Sequence, residues 1–267
     1  TGPLAGAKPW WQLVGEDGRV VARGALPARD VPVDNGTALG RVSLSLAKIA
    51  APRKYRLVVG IESTPFENDW DVWVYPPRVD TSVPTGVSVV RELDEAAEAR
   101  LREGGRVVLL VPPGRVRGDA LGKVELGFSS IFWNTAWTSR QAPHTLGVLL
   151  DPKHPALADF PTEGYSNWQW WHLVSRAGAM ILDGLPRELR PTVQVIDDWF
   201  TNRRLGLVFE ARVGKGRLLV TSIDLETGLE ANPVARQMRH SLLRYAASDR
   251  FAPQVEFSPA ALRALVQ

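Results

Sequence analysis

Cysteine is absent from all 267 residues. That excludes disulfide stapling, thiolate zinc sites and any cysteine nucleophile, and it leaves the redox compartment open. Long apolar runs are missing as well: no stretch reaches the roughly 20 residues needed to cross a bilayer, so no membrane span is expected. Histidine is sparse, at four. His154 and His172 have no second histidine at ligand spacing and no accompanying carboxylate motif, which favours structural histidines over a metal site. Gly214-Lys215-Gly216 sits in a turn and lacks the full glycine, lysine and hydroxyl spacing of a phosphate loop, so neither a nucleotide nor another cofactor is expected. Charge of one sign is not in large excess: 32 basic and 29 acidic residues leave a formal +3. Despite a pI near 9.4, arginines scattered among carboxylates read as a solvated mixed-charge surface and not as a nucleic-acid groove. Internal repeats and low-complexity segments are lacking too.

What remains is an ordinary globular composition, 45% apolar and 23% charged, with one exception. Ten tryptophans fall mostly in short clusters: Pro9-Trp10-Trp11, Trp70 with Trp73, Trp133-Asn134 with Trp137, Asn167-Trp168-Gln169-Trp170-Trp171, and Asp198-Trp199-Phe200. A core uses tryptophan sparingly because the indole N–H needs a partner, whereas a sugar-binding surface wants flat rings bordered by hydrogen-bonding groups. Carbohydrate is therefore the first ligand class to consider.

The periodicity divides the chain near residue 78, which predicts two domains, 1–78 and 79–267. In the first, Trp10 to Val14, the turn Glu16-Asp17-Gly18-Arg19, and Val20 to Gly24 read as a hairpin. Val42, Leu44 and Leu46 alternate with polar residues, as do Tyr55, Leu57, Val59 and Ile61, which predicts half-buried strands. Trp70 to Tyr75 closes the set before Pro76-Pro77. Together these predict a small immunoglobulin-like β-sandwich. In the second, Val87 to Val90, a helix after Asp94 and the apolar run Val107 to Val111 form a βαβ unit, which predicts an open, mostly parallel α/β sheet. A hairpin is expected around Gly214, and a helix from Asn232 with Val234, Met238, Leu242 and Tyr245 on its apolar stripe. Arg236, His240 and Arg244 are expected on the solvated side of that helix.

The segments Asn68 to Pro76, His154 to Thr162 and Asn167 to Trp171 together resemble the C-terminal region of large bacterial proteins of glycoside hydrolase family 2, the β-galactosidase-like class. The resemblance covers nearly the whole chain. It implies a sandwich followed by a module similar to class I glutamine amidotransferases, an extracellular or periplasmic setting, and an excised piece of a longer protein. The catalytic barrel of that family has no counterpart in these residues, so its glutamates are not assigned here. Without cysteine the amidotransferase-like module is expected to be a scaffold.

A pyranose packs its C–H face on an indole while its hydroxyls need fixed donors and acceptors. Asn167, Trp168, Gln169, Trp170 and Trp171 offer both within five residues, and Trp133, Asn134 and Trp137 form a second candidate group. The competing reading is that one or two of these rings plug the sheet beneath them. Trp70 and Trp73 are assigned to the sandwich core or the seam between the halves. A hydrolase needs two carboxylates about 5 Å apart for retention or roughly 6.5–9.5 Å apart for inversion. Glu163, Asp197 and Asp198 are the candidates, with Glu210 and Asp224 behind them, although strand-end carboxylates often cap loops or pair with arginines such as Arg203 and Arg204. The expected function is a non-catalytic region that holds plant or microbial glycan. The alternatives are a structural or oligomerisation module packing on a catalytic domain or a second copy, and a self-contained glycosidase.

Overall fold

The computed structural model describes residues 2–129 and 137–266. The chain divides into two compact units, Thr1–Pro76 and Pro77–Gln267, and is a mixed, β-rich α/β protein. No helix among the described residues is long and apolar enough to cross a membrane.

The first unit holds β1 (Leu4–Ala7), β2 (Pro9–Gly15), β3 (Val20–Ala25), β4 (Arg29–Val31), β5 (Arg53–Ile61) and β6 (Glu67–Val74). β1 and β4 pair with each other, and the remaining four form an antiparallel sheet in the order β3-β2-β5-β6. The tryptophan pair of β2 shows how this sheet is built. Neighbouring residues of a strand point to opposite faces, and each ring lies across a glycine of an adjacent strand. Trp10 pairs with Gly60 and Trp11 with Gly24. A Cβ at Gly60 would stand 2.4 Å from the Trp10 ring, and one at Gly24 would stand 2.7 Å from that of Trp11. The small core gathers Leu13, Tyr55 and Val74, with Leu44, Ile49 and Leu57 against it.

One expectation changes here and another is narrowed. The alternating stretch at Val42, Leu44 and Leu46 joins no ladder; Leu44 still packs on the core, so its apolar pattern reflects burial without strand pairing. Trp70, expected in the sandwich core or the seam, lies on β6 on the same face as Leu57 and is half exposed, so it is not a core ring.

The second unit contains β7 (Val87–Val90), α1 (Glu95–Arg102), β8 (Arg106–Leu110), β9 (Gly147–Leu150), α2 (Trp171–Val174), β10 (Met180–Ile181), β11 (Val193–Ile196), β12 (Leu205–Val213), β13 (Gly216–Thr221), α3 (Pro233–Ala247) and α4 (Pro259–Arg263). The βαβ unit and the β12–β13 hairpin form as their patterns predict. Asp94 caps α1 by accepting from the Ala97 N–H at 2.8 Å, and Asn232 caps α3 by accepting from Ala235 N–H at 3.0 Å with Pro233 in the first turn. Caps of this kind stabilise a helix by about 1 kcal/mol each.

The strand order is β7-β8-β13-β12-β11-β9, with β10 on β12. Among the described residues, the β7-β8 and β8-β13 ladders of this sheet are parallel and its other ladders are antiparallel. The sheet is therefore mixed and not mostly parallel, because the hairpin at Gly214 reverses the chain at its centre. One face carries the main core, where Leu101 of α1 meets Leu109, Phe209, Leu218 and Val220, and Leu262 and Leu265 close over them. On β12, Glu210 points the other way, toward α3, and accepts from the Tyr245 hydroxyl at 2.5 Å. The polar face of α3 is not simply solvated as its spacing suggested. Arg236 donates to the carbonyls of Leu229 and Glu230, His240 Nδ1 lies 2.6 Å from the Asp80 carbonyl, and Arg244 lies 3.5 Å from Asp159.

Candidate functional site

The sheet register brings a set of loops to one end of the second unit. The parallel strands end at Val90, Leu110 and Thr221. β12 runs antiparallel to β13 and starts beyond Thr221, so residues 197–204, which lead into it from β11, lie at that end. β9 begins there too, since Gly147 pairs with Ile196. Residues 164–166 run antiparallel to β9, with Leu150 N–H donating to Gly164 O at 3.0 Å and Ser166 N–H to Val148 O at 3.2 Å. Their continuation into the turn Trp168–Trp170 therefore heads to the same end. Gly178 N–H then donates to the carbonyl of Ser222 just past β13, at 3.2 Å. Open α/β sheets bind ligands at the carboxyl ends of their parallel strands, because connecting loops converge there around free backbone groups.

The tryptophan cluster at 167–171 splits by function. Asn167 accepts from the Trp168 N–H at 2.7 Å and so starts a tight turn. Trp170 is wholly buried: its indole N–H donates to Thr162 Oγ1 at 3.0 Å and its ring meets Phe160 edge-on at 5.6 Å. Gln169 is buried as well and donates to the Pro161 carbonyl at 3.0 Å. Both were expected in the ligand site; both instead anchor the turn. Trp168 and Trp171 are 53% and 51% exposed, and Trp171 leans on Phe128 with ring centroids 5.8 Å apart. Trp137 is 74% exposed, while Trp133 and Asn134 lie outside the described residues.

The candidate carboxylates are used structurally. Asp197 takes three hydrogen bonds from Arg203: the backbone N–H and Nε reach Oδ2 at 2.8 Å, and Nη2 reaches Oδ1 at 3.1 Å. Arg203 Nη1 reaches Asp119 at 3.1 Å. Burial opposes the charge on Arg203, but the hydrogen bonds and charges of Asp197 and Asp119 outweigh it and hold the guanidinium pKa above its ordinary value. Asp198 Oδ1 accepts from the N–H groups of Phe200 and Thr201 at 2.8 and 3.0 Å, which fixes the loop that presents Trp199 and Phe200, 70% and 60% exposed.

Glu163 lies at the other end of β9 from Asp197 and Asp198. Five residues of strand at about 3.3 Å each set the backbones of Glu163 and Asp197 roughly 16 Å apart, well beyond catalytic separation. Glu210 is engaged by Tyr245. Asp224 is paired with Arg176 at 2.8 Å; burial works against its charge, but Arg176 and the N–H groups of Thr227 and Glu226 hold its pKa below the ordinary value. Glu163 and Asp197 are therefore too far apart to act as a glycosidase pair. Among the described residues, no group of three or more histidines and carboxylates is placed to hold a metal ion.

An open cavity of about 560 Å³ lies at the same end, lined by Leu121, Lys123, Arg140, His144, Phe200, Thr201 and Arg203. That size falls within the roughly 300–1,000 Å³ of small-molecule sites. Phe200 was visible in sequence as part of an aromatic cluster. Lys123, Arg140 and His144 carried no signal, because single basic residues far apart in the chain cannot be told from the solvated majority. The His144 ring braces the wall, with Nδ1 accepting from the Glu125 N–H at 3.3 Å and Nε2 lying 3.0 Å from the Arg140 carbonyl. The neutral ring therefore carries its proton on Nε2.

A model described as a domain of unknown function (DUF8487) matches residues 88–267, the carboxyl-end loops included. The chain belongs to the DUF8487 family. A second model, also a domain of unknown function (DUF8488), matches residues 1–76, so the DUF8487 region begins just inside the second structural unit. Comparison with curated proteins finds no match.

Proposed function

We propose that the chain is a carbohydrate-binding accessory region and that the carboxyl-end loops of the second unit are its binding face. The observation that carries this reading is the exposure of Trp168, Trp171, Trp199 and Phe200 on loops from two separate parts of the chain that meet at one end of one sheet. Large rings left half or more in water cost apolar hydration, and a glycan repays that by packing C–H faces on them while polar neighbours take its hydroxyls. The local turn geometry supports the reading, since Asn167, Asp198 and buried Trp170 spend their polar groups on holding these rings outward.

In the finer reading, the first unit is an immunoglobulin-like sandwich and the second an amidotransferase-like scaffold, as in the C-terminal region of glycoside hydrolase family 2 proteins. The region would then hold plant or microbial glycan for a catalytic domain elsewhere. The engagement of Asp197 by Arg203 and of Asp198 by the N–H groups of its own loop favours holding over cutting. Affinity electrophoresis of the chain against a panel of neutral and acidic polysaccharides tests the reading. Retardation by at least one glycan, reduced in Trp171→Ala and Trp199→Ala, is expected; migration unaffected by every glycan removes it.

One observation favours a second reading, an assembly surface. Leu149, Tyr165 and Ile196 share one exposed face at the edge of the sheet, and such a face suits a protein partner or a second copy. Sedimentation that shifts with concentration and is abolished by Tyr165→Glu and Leu149→Glu would support it over glycan binding.

A further inference from the structure

We infer that the cavity beside Phe200 is a subsite for an acidic sugar, a pyranose bearing a carboxylate, within the carbohydrate-binding face proposed above and resting on that reading. Three cationic side chains line this cavity, but they differ in what already holds them. Arg203 is spent, its guanidinium locked by Asp197 and Asp119. Lys123 Nζ donates to the Gly114 carbonyl at 2.5 Å, and Arg140 is exposed; among the described residues neither pairs with a carboxylate. At the same end of the sheet the cavity lined by Arg91 and Arg115 shows the contrast: Arg91 is paired with Glu226 at 2.8 Å and Arg115 with Glu92 at 2.9 Å. Two cations without anionic partners in one cavity attract an anion, and the planar guanidinium fork of Arg140 matches a carboxylate in two parallel hydrogen bonds.

The other wall defines the rest of the ligand. Phe200 offers an exposed ring for the C–H face of a pyranose, Thr201 a hydroxyl that both donates and accepts, and Leu121 a second apolar contact. A simple inorganic anion has no use for the ring, and a neutral sugar has no use for the cations. The backbone at Arg140 is also held in place. Arg140 and Ser139 adopt left-handed backbone, at φ 65° and 54°, which ordinary residues rarely accept, and the His144 ring lies on the Arg140 carbonyl. A densely sulfated chain would call for a stripe of cations, whereas two cations in one cavity suit a single carboxylate.

Calorimetric titration of the full chain with galacturonate and glucuronate oligomers, with the methyl esters of the same oligomers, and with polyglutamate tests this. Methyl esterification removes the charge and keeps the sugar. The expected result is that a uronate oligomer binds about tenfold or more tightly than its ester and weakens with added salt. Arg140→Ala and Lys123→Ala should erase that difference while leaving ester binding intact, and Phe200→Ala should weaken both forms. Equal binding of acid and ester, unaffected by Arg140→Ala, overturns the subsite and leaves carbohydrate binding standing. Polyglutamate binding as tightly as the uronates also overturns it, since the cavity would then read charge alone. Failure of every oligomer to bind, charged or neutral, removes the carbohydrate reading itself and the subsite with it.

Discussion

Asp197 separates a catalytic role from a structural one most sharply, because the two predict opposite effects of removing it. Its side chain is 1% exposed and that of Arg203 9%. Asp197→Ala would leave a buried guanidinium with Asp119 as its only remaining anion. Breaking one partner of a buried ion pair costs about 3–5 kcal/mol, most of it the price of stranding the other charge. Asp119 still reaches Arg203 at 3.1 Å and is itself partly exposed, so the lower end, about 3 kcal/mol, is expected here. Asp197→Asn keeps the shape and one acceptor and should cost less, about 1.5–3 kcal/mol. Replacing both partners, as in Asp197→Leu with Arg203→Met, should recover much of the loss because no unpaired charge remains buried. Urea unfolding followed by tryptophan fluorescence, with the transition of the second unit fitted separately, reads these differences. An Asp197→Ala variant destabilised by less than about 1 kcal/mol would refute the argument that this pair holds the loop.

The adjacent rings Trp170 and Trp171 should behave oppositely. Trp170→Ala is expected to cost about 3–5 kcal/mol in thermal or urea unfolding, whereas Trp171→Ala should leave stability nearly unchanged and reduce glycan retardation. In the first unit, Gly60→Ala forces a methyl group into the Trp10 ring and should destabilise by about 1–3 kcal/mol, read from the melting of residues 1–76 in the full chain. Acid should weaken the second unit through His154. Burial depresses its folded pKa below 6.5, against the opposing charges of Glu210 and Asp151. The unfolded chain then binds the proton first, so stability present above about pH 6.5 declines as pH falls below that value. His154→Gln should flatten this part of the stability profile from pH 7 to 5, and an unchanged profile would count against it.

Much of the fold was legible because it is written in short-range pattern. The β2–β3 hairpin, the βαβ unit, the Gly214 hairpin and the capped helix at Asn232 each depend on periodicity and turn chemistry within a few tens of residues. Where the pattern misled, a distant partner was the reason. Val42, Leu44 and Leu46 alternate like a strand, yet they join no ladder, and Leu44 packs on the core formed by Leu13, Tyr55 and Val74. Arg236, His240 and Arg244 look like a solvated face until the carbonyls of Leu229, Glu230 and Asp80 are brought alongside.

By itself, the sequence determined which residues are chemically suited to a sugar and which chemistries are excluded: without cysteine there is no thiolate nucleophile, and the tryptophans sit in polar, turn-forming surroundings. It also marked Asp197 and Asp198 as strand-end carboxylates with arginines close by. Only the tertiary structure decided that Trp170 is core while Trp171 faces water, since Phe160 and Thr162 must be folded back to receive the Trp170 ring. Only the strand order, with β13 between β8 and β12, carried Lys123, Arg140 and Phe200 to one cavity. Those positions share no local periodicity; what unites them is a sheet whose register is set by long-range pairing.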